Sequence, residues 1–278
     1  MTAAAITVSA PVESGIGLLA FTRQTLWLTW RGLRTIPRVP ERLLDVTIQP
    51  IVFILLFLYV FGSAIHVAGV SYKDFLFPGI LAQTLAFGIF GAGTYTANDM
   101  QEGVVDRFRS MPISRLAIIW SEVLCQMVEA LLGLAITAGL GFALGWNPHL
   151  SVAGAFALMG LVLLALLAFT WLGVLFGMLV RSSDAVQGIG FIVIFPLTFL
   201  AGTFVPINGM AAVPRAIGHW DPVSAFVAAV RHLTTPGIGT STGSWQLTHP
   251  LLAAALWCVL LIAIAMPLAL WRFNRRLS

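Results

Sequence analysis

The chain has 278 residues, 59% of them hydrophobic and 9% charged, with Lys+Arg 15 against Asp+Glu 11 and a formal net charge of +4. A composition this apolar, arranged in repeated uncharged runs of about 20 residues, excludes a soluble enzyme and marks an integral membrane protein. Hydrocarbon holds no water to satisfy backbone groups, and the runs do not alternate polar with apolar as barrel strands do, so the fold class is all-α.

The opening MTAAAITVSAPVESG has neither the basic start nor the apolar stretch of a secretory signal, so the chain is expected to keep its own N-terminus. Next comes GLLAFTRQTLWLTWRGLRTIPRVPERLLD. On a helical projection Arg23, Gln24, Arg31 and Arg34 share an arc of about 100°, away from Leu19, Leu26, Leu33 and Ile36. Two readings stay open, an amphipathic helix in the headgroup region anchored by Trp27 and Trp30, and a plain positively charged flank. Pro37 and Pro40 end the segment. Residues 1–43 are thus expected to form a cytoplasmic tail with an interfacial helix, and residues 44–278 a transmembrane domain.

Six spans are expected, at 48–65, 75–95, 116–144, 152–180, 186–205 and 251–271. With both termini on one side, that side collects Arg23, Arg31, Arg34, Arg38, Arg42, Arg107, Arg109, Arg115, Arg181, Arg272, Arg275 and Arg276. The other side keeps only Lys73, Arg215 and Arg231, so both termini are expected in the cytoplasm. The basic balance is then a topology signal, and nucleic acid is not an expected partner. Cys125 and Cys258 fall inside apolar runs and suggest neither a disulfide framework nor a metal cluster.

Between spans two and three, NDMQEGVVDRFRSMPISR concentrates charge of both signs. A short turn would need only a few polar residues. Glu102 and Asp106 lie four apart, Arg107 and Arg109 flank them, Gly103 permits close approach, and Met111-Pro112 ends the segment before Ser114-Arg115 leads into span three. Charge of both signs suits a protein contact, and a solvated loop is the alternative. Inside span three Glu122, Gln126 and Glu129 share one helix face, a stripe too expensive to turn toward lipid. Glu122, near the cytoplasmic end, suits a structural role. Glu129 divides between a helix–helix hydrogen bond and a polar group beside a translocation path.

The 45 or so residues between spans five and six are too apolar and patterned for a plain loop. Asp221-Pro222 is a helix start, an Asp cap followed by proline at the first helical position, and that helix is expected to reach about His232. A shorter helix over 211–219 precedes it. Neither can cross a bilayer, so both are expected to dip into or lie on the outer leaflet, at the depth of Trp220 and Trp245. No zinc-binding helix, Cys-x-x-Cys pair, nucleophile elbow or phosphate loop occurs, and Lys73 is the sole lysine. If ATP drives the protein, another polypeptide binds it.

EGVVDRFRSMPISR after span two and FLAGTFVPINGMAAVPRAIGHWDPVSAFVAAVRHL after span five, in that order, resemble ABC transporter type-2 permeases. LFPGILAQTLAF at 76–87 and FPLTFLAGTFVP at 195–206 resemble their DrrB-like branch, the daunorubicin/doxorubicin resistance permeases. Ala201 and Asp221 stand where many relatives have Ser and Asn. The resemblance implies an exporter of hydrophobic drugs or lipids in which this chain is the membrane subunit. Its second half would be another copy or a similar permease. It also implies a separate ATPase dimer that holds ATP and magnesium, with no cofactor on this chain. Glu102, Gly103, Asp106, Arg107, Arg109, Pro112 and Arg115 would form the coupling helix against that ATPase. Phe87, Phe90 and Thr94 in span two, with Phe195, Thr198, Phe199 and Phe204 in span five, would line the path, joined by Glu129. Pro206, Asp221, Pro222 and Arg231 would shape the outer helices. Two other classes remain in view: a proton-coupled exporter with Glu129 as carrier, and an intramembrane enzyme, for which no nucleophile–base pair is visible.

Overall fold

A computed structural model describes residues 17–34, 40–65, 67, 69–102, 114–180, 182–235 and 244–277. Among them no strand occurs. The helices are α1 (Leu18–Leu33), α2 (Pro40–Leu55), α3 (Tyr72–Gln101), α4 (Arg115–Ala143), α5 (Val152–Leu179), α6 (Ser183–Leu200), α7 (Ala212–Gly218), α8 (Pro222–Thr234), α9 (Trp245–Thr248) and α10 (Pro250–Leu277). α2 continues into one widened π turn, Leu56–Val60.

Side-chain oxygens fix several helix starts. Ser71 Oγ accepts the Asp74 N–H at 3.2 Å, Ser151 Oγ that of Gly154 at 3.0 Å and Ser182 Oγ that of Ala185 at 3.2 Å. α4 lacks such a cap of its own. Instead the Ser114 N–H donates across to Gln24 Oε1 of α1 at 3.1 Å, and Cys125 Sγ donates to the Thr29 carbonyl at 3.4 Å, so α1 rests on the first turns of α4. α1 is turned inside out relative to a helix of a soluble protein. Thr25 and Thr29 are buried, while Leu26, Trp27 and Trp30 are exposed.

Among the described residues five helices are long and apolar enough to cross a membrane: Tyr72–Gln101, Leu116–Ala143, Val152–Leu179, Ser183–Leu200 and Pro250–Phe273. The expected first span, 48–65, falls on α2 and its π turn, where the apolar helix Thr47–Val60 is shorter than these. The expected fifth span, 186–205, is displaced: its helix runs over Ser183–Leu200, and the chain then turns through Ala201–Val205 with Gly202 at φ +73°.

α3 is the centre of the bundle, packed by α5, α6, α4, α8 and α2. Its crossing with α5 is a contact of backbones. A Cβ on Gly173 would stand 2.6 Å from the Ile89 carbonyl oxygen, one on Gly177 would overlap the Gly93 carbonyl, and one on Gly93 would stand 3.2 Å from the Gly173 oxygen. Gly173 and Gly177, four apart on α5, leave the groove that α3 occupies. Behind it α10 covers α5, burying Trp171, Met178, Ala265 and Ala269 together.

Candidate functional site: a polar and aromatic cavity among four helices

α3 and three helices packed on it, α2, α4 and α6, leave a cavity of about 450 Å³. α2 contributes Gln49, Pro50 and Phe53; α3 contributes Thr84, Phe87, Gly88, Phe90, Gly91, Thr94 and Tyr95. α4 adds Gln126, Glu129 and Ala130, and α6 adds Gln187 and Phe191. The space exists because small residues stand where helices would otherwise touch. A Cβ on Gly88 would lie 3.9 Å from Ala130 Cβ, and one on Gly91 would lie 3.5 Å from Gln126 Oε1.

The wall chemistry is mixed. Phe87 and Phe90 stack at 5.2 Å, and the Phe90 ring covers Gly190 of α6 so closely that a Cβ there would overlap it. Opposite them, Gln126 and Glu129 are buried, and Gln126 Nε2 donates to Glu122 Oε1 at 2.9 Å. Thr84 Oγ1 donates to the Ile80 carbonyl at 2.8 Å, whereas Thr94 Oγ1 is buried without a hydrogen-bond partner. Phenyl faces beside amides, hydroxyls and a carboxyl can hold a flat amphipathic solute, with the rings taking its apolar body and the polar groups fixing orientation.

The structure gathers Phe87, Phe90, Thr94 and Glu129 at this cavity. The four expected from span five are elsewhere. Phe195 stacks on Phe191 at 4.6 Å and Phe199 meets Phe195 at 4.7 Å with the planes tilted by 42°, above the cavity rather than in its wall. Thr198 is fully buried and donates to the Phe195 carbonyl at 2.9 Å. Phe204 lies beyond the helix in the turn, stacked on Phe57 at 3.8 Å. The helix ends sooner than expected, so the half of α6 that reaches the cavity is the earlier one, Gln187 and Phe191. Those two, with Gln49, Phe53, Thr84, Gln126 and Tyr95, were not among the expected pathway residues. A signal existed for the amides, since Gln49 and Gln187 sit in runs otherwise rich in apolar residues.

Beyond the cavity, the segment 201–235 is fastened by Arg231. Its Nε and Nη2 donate to the Phe75 carbonyl at 3.1 and 3.0 Å, and Nη2 also reaches the carbonyls of Gly202 at 2.8 Å and Thr203 at 3.1 Å. The guanidinium stacks on the Phe75 ring at 3.6 Å. Asp221 Oδ1 accepts the Val223 N–H at 3.0 Å and caps α8, with Pro222 at the first helical position. Burial pushes the Asp221 carboxyl up to about 7, with the hydrogen bonds of Val223 and Ser224 pulling against it. Pro206 leads from the turn into a single 3₁₀ turn, Ile207–Gly209. Of the expected coupling residues, Glu102 is exposed at the C-cap of α3 and Arg115 opens α4. Gly103, Asp106, Arg107, Arg109 and Pro112 lie outside the described residues.

Residues 23–234 match the model of the ABC-2 type transporter family. The chain is 29% identical over 209 residues to a daunorubicin resistance ABC transporter permease protein, DrrB1, of Streptomyces coeruleorubidus, covering 75% of this chain and 74% of that one. It is 25% identical over 272 residues to a doxorubicin resistance ABC transporter permease protein, DrrB, of Mycobacterium tuberculosis, covering 90% of each. An inner membrane transport permease of Escherichia coli, YadH, is 23% identical over 218 residues, 74% of this chain and 83% of that one. With most of its length inside the family match, and with apolar helices arranged around a cavity, the chain belongs to the ABC-2 type transporter family.

Proposed function

We propose that this chain is the membrane-spanning subunit of an ATP-binding-cassette exporter that moves hydrophobic drugs or lipids out of a bacterial cell. A separate ATPase dimer supplies the energy, holding ATP and magnesium, and a second copy of the chain or a similar permease completes the transporter. The observation that carries the reading is the cavity: four helices of an ABC-2 chain enclosing phenyl rings beside glutamines and Glu129. The expected span 48–65, carried by the apolar part of α2 and its π turn, Thr47–Val60, serves as the sixth crossing. Both termini are then cytoplasmic in the plasma membrane. Residues 1–43 are the interfacial portion, with Trp27 and Trp30 at headgroup level, and 44–278 the transport domain. α7 and α8 form a re-entrant pair on the outer side.

In this reading Glu102 and Arg107 belong to the contact that couples the chain to the ATPase, and that supplies the test. Glu102→Arg or Arg107→Glu should detach the ATPase or uncouple hydrolysis from export while the chain still inserts with unchanged topology. Opposite charge changes on the ATPase should restore transport. Wild-type copurification and export in both reversals would sink the assignment. The buried Glu129 in the cavity wall also suits a proton-coupled exporter. That alternative predicts loss of export when the proton gradient collapses at constant ATP, and indifference to deletion of the ATPase.

A further inference from the structure

Directly above the cavity, seen from the end that meets residues 201–235, phenyl rings stack from one helix to another. Phe191, Phe195 and Phe199 follow each other at four-residue spacing along α6, with centroids 4.6 and 4.7 Å apart. Phe199 meets Phe204 at 4.8 Å, and Phe204 stacks on Phe57 of α2 at 3.8 Å with planes 14° apart. The column therefore crosses the gap between α6 and α2.

Its level is the same on all four helices. On α3 the cavity begins at Thr84, and the apolar cluster holding Phe57 and Phe204 takes Leu76 to Leu81. On α4 the cavity ends at Ala130 and the cluster begins at Leu134. On α2 the cavity takes Gln49 to Phe53 and the cluster runs on to Leu58, with Phe53 shared between them and stacked on Phe204 at 5.6 Å. On α6 the cavity takes Gln187 and Phe191, with Phe195 one turn and Phe199 two turns further on. The polar cavity thus gives way on each of these helices to an apolar layer, aromatic on α2 and α6.

Two features make this layer separable. α2 is widened into its π turn over Leu56–Val60, at the residue that bears the Phe57 ring, and such turns mark places where a helix departs from its ladder. Phe204 belongs to no helix: it sits on the turn whose neighbouring carbonyls, Gly202 and Thr203, are held by Arg231. The Tyr72 hydroxyl donates to the Phe204 carbonyl itself at 3.4 Å. One ring is therefore carried by an irregular turn of α2 and its partner by a clamped loop, so parting them requires no break in a regular helix.

We infer that the Phe57–Phe204 stack, supported by Phe199, is the outer closure of the cavity, and that Arg231 positions it. The inference rests on the transport reading for the direction it assigns to outside. Its test needs neither substrate nor ATPase. In a background of Cys125→Ala and Cys258→Ala, Gly91→Cys places a thiol in the cavity, where a Cβ meets only ordinary contact, and Gly209→Cys places one on the exposed outer segment. The full chain in right-side-out vesicles is treated with a membrane-impermeant methanethiosulfonate bearing a quaternary ammonium. The Gly209→Cys thiol should react and the Gly91→Cys thiol should not. Adding Phe57→Leu or Phe204→Leu, which keep apolar bulk but remove the stack, should raise the cavity rate by about tenfold through a larger open population. Phe204→Trp, which restores a ring, should return it to the parental rate, and gel-filtration profiles establish that each variant is folded. The closure is overturned if both Leu variants stay within about twofold of the parent, or if the parent's cavity thiol already reacts from outside like the exposed one. Absence of ATP-driven export alongside the expected labelling would sink the transport reading and leave the closure standing.

Discussion

α3 and α6 are the two helices expected to line a transport path, and they are built on opposite plans. In α3, 83% of the membrane-crossing window is buried inside the protein; in α6 the figure is 17%. Their mean hydropathies over that window, 1.7 and 1.6, are nearly equal. Hydropathy alone therefore does not distinguish a helix surrounded by protein from one that offers most of its surface outward. What does distinguish them is side-chain size and polarity at the contacts. α3 carries Gly79, Ala82, Ala86, Ala92 and Gly93 where its neighbours approach, whereas α6 exposes Ile189, Phe191, Ile192 and Val193. In a membrane, apolar surface has no reason to avoid lipid, so burial follows from close packing of small residues rather than from greasiness.

The largest test of that contrast is to enlarge a glycine on each plan. Gly177→Leu would force a side chain into the Gly93 carbonyl and the Thr96 side chain, and should cost more than about 3 kcal/mol, read as loss of monodisperse protein. Gly188→Leu, on α6 with nothing near its Cβ position, should stay within about 0.5 kcal/mol of wild type in thermal unfolding in detergent. Equal tolerance at the two sites would show that the α3–α5 crossing is looser than its backbone contacts imply.

A helix as exposed as α6 needs another fastening, and its C-terminal end supplies one. The turn that follows it hangs from Arg231, and Gly218 of α7 lies under its last carbonyl, where a Cβ would overlap the Leu200 oxygen. Arg231→Ala strips three buried carbonyls of a charged donor and should cost about 3 kcal/mol. Arg231→Lys keeps the charge but not the planar fork that serves Phe75, Gly202 and Thr203 together, so rescue should be partial. Limited proteolysis between α6 and α7 reads the effect directly. A full rescue by Lys would mean that charge, not geometry, holds the turn.

How legible this was from sequence differs along the same divide. The long apolar runs announced α4 and α5 to within a residue at each end, and the start of α10 likewise, though α10 runs on past the expected 271 to Leu277. The Asp221-Pro222 pair announced the start of α8 for a local reason, the cap itself. Four of the fifteen cavity residues were also named from sequence: Glu129 from the acidic stripe on α4, and Phe87, Phe90 and Thr94 from the family resemblance alone. The α6 side was misjudged, because the apolar run continues through Phe204 although the helix stops at Leu200, and hydropathy does not register Gly202 turning the chain. Nor does any local pattern foretell that Phe57 would meet Phe204 from 147 positions away in the chain.

The smallest expected effect concerns the same fastening, through protons. Asp221 is buried, with one carboxyl oxygen capping α8, and burial favours the protonated, uncharged carboxyl. Its folded pKa, about 7, lies above its ordinary value of 3.8, so the group's stabilisation is complete below that ordinary value and is lost as pH rises through 7. Within that window the segment should weaken by roughly 1 kcal/mol between about pH 6 and pH 7, and level off above. Hydrogen exchange of the α8 amides measures it. Asp221→Asn, which caps without titrating, should be flat across the window and more protected than wild type above it. Asp221→Ala should be equally flat but less protected at low pH, by about 0.5–2 kcal/mol, because it loses the cap altogether. A wild-type profile as flat as that of Asp221→Asn would mean that the carboxylate is charged and solvated at neutral pH, and that the turn after α6 is held by Arg231 without help from Asp221.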